Sequence, residues 1–259
     1  MKLLITDLDG TLLTRAGAVH EDDLKAARAL LAHGVHLSVA TGRLYSGTRM
    51  HSQAIGVQGP VGCADGSQLV DARDHRALAV HPLPPETVAW LLAVEGVPYV
   101  FAEDSVHHDP RGEAHLVYVK TWSEQLVVHR DLGAVAWGPA KVVVLVGKHG
   151  PLQAAHERAK AEGLTAICFP FGDGLGLVVR RGGIDKGTAI EFIAAHHGVA
   201  LADVAVVGDW LNDVPMLKRA GHRFVMGHAS DEVKAHAHHV LPPGQSPLAH
   251  IAAHFGVKP

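Results

Sequence analysis

Cysteine is scarce: Cys63 and Cys168 are the only two in 259 residues, and no Cys-x-x-Cys occurs. Neither a disulfide framework nor a thiolate zinc site is implied, and a reducing compartment is expected. A dominant charge is also missing. Lys and Arg total 23 against 26 Asp and Glu, giving a formal net charge of -3. Neither nucleic acid nor an anionic membrane is therefore expected as the main partner. No apolar run approaches the roughly 18 residues of a membrane span. Met1-Lys2-Leu3-Leu4-Ile5 reaches Asp7 and Asp9 too soon for the apolar core of a signal peptide. A cytoplasmic location is the expectation.

Several catalytic patterns are missing as well. Lys186 precedes its glycine, so there is no Gly-Lys-Ser/Thr phosphate loop, and no Gly-x-Ser-x-Gly elbow occurs. The 21 histidines include His107-His108, His196-His197 and the group His236, His238 and His239, but none forms the His-Glu-x-x-His of a zinc enzyme. They read as solvated surface that titrates near neutrality. An EF-hand at Asp7 is disfavoured, because Gly10 falls at the fourth loop position and Ala18 at the twelfth. Strand-like residues follow Gly172-Asp173-Gly174-Leu175-Gly176, so this run reads as a hairpin turn and not as a dinucleotide fingerprint.

The chain does have 47% apolar residues, enough to bury a sizeable core. Lys2 to Thr6 reads as a buried strand, Glu21 to Ala32 as an amphipathic helix ending before Gly34, and Val35 to Ala40 as the next strand. The final third repeats that order: a helix from Thr188 to His197, a strand from Val204 to Val207, a helix from Asp213 to Ala220 and a strand from Phe224 to Met226. The middle differs. A helix at Glu86 to Val94, strand-like runs at Tyr99 to Ala102, Leu116 to Lys120 and Lys141 to Val146, and a helix at Leu152 to Glu162 suggest an α+β insert. Its expected edges are His81 to Pro85 and Arg180 to Gly183. The expected fold class is α/β: a doubly wound, Rossmann-like parallel-sheet core of residues 1–82 and 181–259, with an α+β cap of residues 83–180.

Chemistry concentrates at strand ends. Asp7-Leu8-Asp9-Gly10-Thr11-Leu12 lies where the first strand opens into a loop, and Thr41-Gly42-Arg43 follows the second strand. Lys186 precedes a helix, and Gly208-Asp209-Trp210-Leu211-Asn212-Asp213 follows a late strand. In an open parallel sheet, ligands bind beyond the carboxyl ends of the strands. In this order the four segments resemble those of the haloacid dehalogenase superfamily of aspartate-nucleophile phosphohydrolases, and among them the Cof-type branch with its large inserted α/β cap. The resemblance spans essentially the whole chain.

The resemblance implies that Asp7 is a nucleophile forming an aspartyl-phosphate, and that Asp9 protonates the leaving oxygen and then activates water. Thr41, Gly42, Arg43, Lys186 and Asn212 would hold substrate, with Thr41 and Lys186 also serving catalysis. Asp7, the main-chain carbonyl of Asp9, Asp209 and Asp213 would surround Mg²⁺, an ion suited to oxygen-only donors. Four carboxylates and a phosphate outweigh Lys186 and one divalent ion, so one carboxyl should hold a proton; the acid role assigns it to Asp9.

Two positions depart from the family pattern. Ala64-Asp65-Gly66-Ser67 stands where Asn-Gly-Ala is more usual, so Asp65 reads first as a turn residue and second as a carboxylate replacing an amide near the active-site rim. Trp210 replaces a smaller residue, either narrowing the entrance or packing. The activity implied is a Mg²⁺-dependent phosphatase of small phosphorylated metabolites, a sugar phosphate first, with cap residues such as His107, His108, Asp109 and Arg111 as polar contacts. A phosphomutase and a catalytically silent phosphometabolite-binding protein are the alternatives.

Overall fold

The computed structural model describes residues 1–242 and 246–258. In chain order the strands are β1 (Leu3–Thr6), β2 (His36–Val39), β3 (Pro60–Cys63), β4 (Gln68–Asp71), β5 (Ala77–Val80), β6 (Val97–Ala102), β7 (Ser105–His108), β8 (Leu126–Val128), β9 (Val142–Gly147), β10 (Thr165–Phe171), β11 (Gly174–Arg180), β12 (Val204–Gly208), β13 (His222–Met226) and β14 (His239–Leu241). The helices are α1 (Glu21–Ala32), α2 (Arg49–Ala54), α3 (Pro85–Leu92), α4 (Leu116–Trp122), α5 (His149–Ala161), α6 (Lys186–His196), α7 (Val214–Arg219), α8 (Asp231–Lys234) and α9 (Pro247–His254). Two compact units divide the chain: residues 1–41, 48–78 and 185–259, and residues 42–47 and 79–184. Among the described residues, no helix is long and apolar enough to cross a membrane.

The first unit is built on a parallel sheet of order β14-β13-β12-β1-β2. Ile5 of β1 lies in register with Val206 on one side and Ser38 on the other. Every residue of β1 is buried, as expected for a strand covered on both faces. Leu3, Ile5, Val204 and Val206 pack against Ile190 and Ile193 of α6 and Met216 and Leu217 of α7, while α1 packs against α9. The chain winds from β1 to β2 in one direction and from β12 through β13 to β14 in the other, so the winding reverses between β1 and β12. The crevice outside the carboxyl ends at such a reversal is where open α/β sheets take ligands.

A buried carboxylate ties α1 to α9. Asp23 is 1% exposed. Its Oδ1 accepts the amides of Leu248 and Ala249 at 2.8 and 3.2 Å, while Oδ2 finds no partner among the described residues. Burial pushes its pKa up to about 6. Because the folded value is raised, the proton's contribution to stability is complete below about 4 and is lost as pH rises towards about 6. Asp23→Asn keeps the acceptor and removes the charge. We expect the variant to lose this segment of the pH–stability curve and to gain about 2 kcal/mol at most at pH 7.5. Denaturant melts at pH 4 and pH 7.5 check this, and parallel pH profiles for the two proteins would contradict it.

The second unit holds a sheet of order β10-β11-β9-β6-β7-β8, antiparallel except for the β7–β8 pair. Val88 and Leu91 of α3 and Leu152, Ala155 and Ala159 of α5 pack on Val100, Val143, Leu145, Leu177 and Val179. The Gly172 turn joins β10 to β11, with Phe171 opposite Gly174. Two expectations fail in this unit. Leu116 to Lys120 is the helix α4 and not a strand. Its short apolar run with two valines and a tyrosine reads as strand-like, but a Pro110–His115 turn capped by Asp109 starts a helical path, burying Val119 and leaving Val117 and Tyr118 exposed. Local propensity yields to context here. His107 and His108 are not solvated surface either. His108 is buried, and His107 Nδ1 meets His129 Nε2 at 2.9 Å.

Candidate active site

Local sequence explains how each acidic side chain leaves the sheet. Thr6 and Val207 are register partners, and the Asp7 amide continues the ladder to the Val207 carbonyl at 3.0 Å. Asp7 and Asp209 therefore emerge side by side from the two strands flanking the reversal. Gly10 turns the loop at φ +75°, and a Cβ there would lie 2.3 Å from Asp209 Oδ2. Thr11 donates its hydroxyl to Asp209 Oδ1 at 2.9 Å. Gly10→Ala is expected to displace Asp209 and to lower turnover about 100-fold, the scale set by misplacing a reacting group by about 1 Å. Steady-state phosphate release measures it; unchanged turnover would show that the loop tolerates the shift.

Lys186 arrives from a different direction. Asp185 caps α6 by accepting the Thr188 amide at 2.8 Å, while Thr188 Oγ1 accepts the Asp185 amide at 3.1 Å. This box starts the helix at Lys186, two residues before the start expected from the apolar pattern. Lys186 is fully buried and its ammonium lies 2.8 Å from Asp7 Oδ1 and 2.6 Å from Asp213 Oδ1. Asp213 Oδ2 accepts the amides of Asp209 and Trp210 at 2.8 and 2.9 Å. Asp213 thus braces the loop after β12 and anchors the lysine together.

Burial, reinforced by Asp213 and Asp209, holds the Asp7 carboxyl well above the usual range despite Lys186. Burial and Asp213 also raise Asp209. Burial alone would push the Lys186 ammonium down, but Asp213, Asp7 and Asp65 outweigh it and hold it up. The cluster is short of positive charge. Carboxylate oxygens of Asp7, Asp209 and Asp213 lie within 4.8 Å of one another, near the roughly 4.2 Å between opposite oxygens around an octahedral ion with bonds of about 2.1 Å. Oxygen-only donors, a charge deficit and this spacing fit a hard divalent cation.

The remaining expected residues divide. Asp9 is exposed beside the cluster. Thr41 is buried; its amide donates to Gly62 at 2.8 Å and its carbonyl accepts the Asp65 amide at 2.9 Å. Gly42 and Arg43 belong to the second unit, where Arg43 Nη1 donates to the Gly47 carbonyl at 3.2 Å. Also in that unit, Asp109 and Arg111 are committed to each other, with Nη2 2.5 Å from Oδ2. Burial pulls Asp109 up, but Arg111 outweighs it and holds the carboxyl below its usual range. Trp210 is 46% exposed.

Three contacts escaped the sequence. Asn212 Nδ2 donates to Asp65 Oδ1 at 2.8 Å, so Asp65 reaches the site from its turn. His228 Nε2 lies 3.3 Å from Asp209 Oδ2, and Thr11 steadies the same carboxylate from the opposite end of the chain. No spacing rule links residues so far apart in sequence.

Comparison with known proteins supplies the family. The chain matches the haloacid dehalogenase-like hydrolase family over residues 4–246. It is 30% identical over 241 residues to an HMP-PP phosphatase of Yersinia enterocolitica, covering 90% of this chain and 86% of that one. It is 27% identical over 256 residues to the pyridoxal phosphate phosphatase YbhA of Escherichia coli, covering 93% of each. Among solved structures, a haloacid dehalogenase-like hydrolase from B. subtilis aligns with a TM-score of 0.84 at 22% identity, covering 98% of this chain and 100% of that one. The subclass IIB sugar phosphatase BT4131 aligns with a TM-score of 0.81 at 20% identity over the full length of both. The chain belongs to the haloacid dehalogenase-like hydrolases and is a phosphatase of that family.

Proposed function

We propose that this phosphatase is Mg²⁺-dependent, takes small phosphorylated metabolites and works through an aspartyl-phosphate on Asp7. The observation that carries this reading is the buried Asp7 carboxylate, 2.8 Å from the Lys186 ammonium, at the reversal of the sheet. Asp7, the Asp9 main-chain carbonyl and Asp209 would hold the ion, whose positive charge would offset that of the phosphoryl oxygens. Asp213 uses its oxygens on Lys186 and the loop amides, so its role is to brace that arrangement.

An oxygen of Asp7 attacks phosphorus while the ester oxygen leaves with a proton from Asp9. Water then attacks the phosphorus of the aspartyl-phosphate, Asp9 takes its proton, and inorganic phosphate and free Asp7 are regenerated. Lys186 keeps Asp7 oriented and offsets charge as the phosphoryl group transfers. Asp9→Asn is expected to lose at least about 100-fold in kcat on alkyl phosphates and much less on aryl phosphates, whose leaving oxygens need no proton. Equal losses on both would remove the acid role.

The second unit is the proposed source of substrate selection. Relatives named for HMP-PP and pyridoxal phosphate, and a sugar phosphatase among the structural neighbours, define the first compounds to test, with sugar phosphates heading the panel. The deciding experiment is phosphate release across that panel, with Mg²⁺ and with chelator, beside Asp7→Asn. Release only with Mg²⁺ and only from wild type supports the proposal. No release from any compound, or release that chelation leaves unchanged, refutes it.

A further inference from the structure

Asp65 has no part in the reaction scheme above, yet it is built into the site. It is 6% exposed, with φ 51° and ψ 40°, and Ala64 before it also has positive φ, at 48°. Left-handed backbone at consecutive non-glycine residues is uncommon and persists where surrounding structure imposes it. The turn is pinned from outside: a Cβ on Gly66 would lie 2.5 Å from the carbonyl of Asp185, the cap of α6. The strained turn brings a carboxylate to Asn212 Nδ2 at 2.8 Å.

That contact fixes an orientation. A side-chain amide has a donor end and an acceptor end of nearly the same shape, and only its neighbours distinguish them. With Nδ2 on Asp65, Asn212 Oδ1 is the other end, buried and without a partner among the described residues. The reverse orientation would set the amide oxygen against a carboxylate oxygen, two acceptors with no proton between them. With Asp65 Oδ1 as acceptor one orientation is selected, whereas an Asn at 65 could rotate together with Asn212 and permit both.

We propose that Asp65 is a positioning residue that fixes the orientation of the Asn212 amide beside the phosphoryl-transfer site. This rests on the reading of Asn212 as part of the substrate-binding set. Asp65→Asn is the discriminating substitution, because Asn tolerates the left-handed backbone as well as Asp does and the volume is unchanged.

The experiment is a double-mutant cycle of Asp65→Asn and Asn212→Ala, with kcat, KM and melting temperature measured for all four proteins and Asp7→Asn as the blank. Asp65→Asn should lower kcat about tenfold with KM within about threefold of wild type, as for a group whose alignment matters in the transition state. Its melting temperature should stay within about 3 °C of wild type. Asn212→Ala should lower kcat at least as much, and the double variant should be no slower than Asn212→Ala alone. Wild-type kinetics in Asp65→Asn, a loss confined to KM, or losses that multiply in the double variant would overturn the proposal while leaving the phosphatase reading intact. If wild type shows no more release than the blank, both fail.

Discussion

Replacing Asp7 by Asn is expected to abolish phosphate release while leaving the fold as stable as before, or slightly more so. The two halves of this prediction come from the same geometry. Asp7 is buried beside Asp209 and Asp213, and its carboxyl is held above the usual range by burial and by those neighbours. A group with a raised folded pKa costs stability once it ionises, so a neutral isostere removes a penalty at neutral pH. Asn still offers an oxygen to Lys186, so the lysine keeps a partner as well as Asp213. Chemistry has no such substitute, because an amide oxygen is a poor nucleophile towards phosphorus and cannot form the acyl phosphate. Removing the nucleophile from a covalent catalyst costs on the order of 10⁴-fold to 10⁶-fold. Phosphate release and thermal melts on the same preparations test both halves. Turnover near wild type would remove Asp7 from its role, and a collapse in melting temperature would make it a structural residue.

How much of this was legible in the sequence depends on whether the information is local. The order strand, helix, strand, each strand ending in a carboxylate or a hydroxyl, placed Asp7, Thr41 and Asp209 at one edge of the sheet, because a parallel strand always delivers its last residues to the same side. Lys186 was legible as a motif, and its position at the first turn of α6 was recoverable from the Asp185-x-x-Thr188 spacing, which forms the observed capping box. Asp65 was legible only as a departure from the family pattern. A turn composition explained it more simply, and it is tertiary contacts, the bridge between Ala40 and Gly62 and the bond from the Asp65 amide to the Thr41 carbonyl, that carry the turn towards the site. The same holds for His107, half-buried against a partner 22 residues away. Leu116 to Lys120 failed for the opposite reason: its composition was clear but favoured a strand, whereas the turn starting at Pro110 leads the chain into a helix.

Lys186→Met should damage both stability and activity, and pH should separate the two effects. The side chain is fully buried and its ammonium serves Asp7 and Asp213 at 2.8 and 2.6 Å. Methionine fills nearly the same space, so the loss is electrostatic. Removing one partner of a buried ion pair costs about 3–5 kcal/mol, because the other charge stays buried without compensation. In the wild type, the raised ammonium supports the fold across the whole neutral range; that support is complete below the ordinary lysine value of about 10.4 and fades only above it. In the variant, Asp7, Asp209 and Asp213 repel one another unopposed, and Asp7 and Asp209, already raised by burial and by their neighbours, take up protons as pH falls. The stability deficit should therefore be largest near pH 8 and should shrink towards pH 5. Turnover should fall at least about 10³-fold at every pH, the scale of losing a preorganised charge at the transferring group. Lys186→Met combined with Asp213→Asn removes one of the two carboxylates that lose the ammonium and keeps an oxygen for the Asp209 and Trp210 amides. That pair should recover much of the lost stability at pH 8 and none of the activity. A single variant that melts with wild type at pH 8, or a double variant that regains turnover, would show that the ammonium is not what balances this cluster.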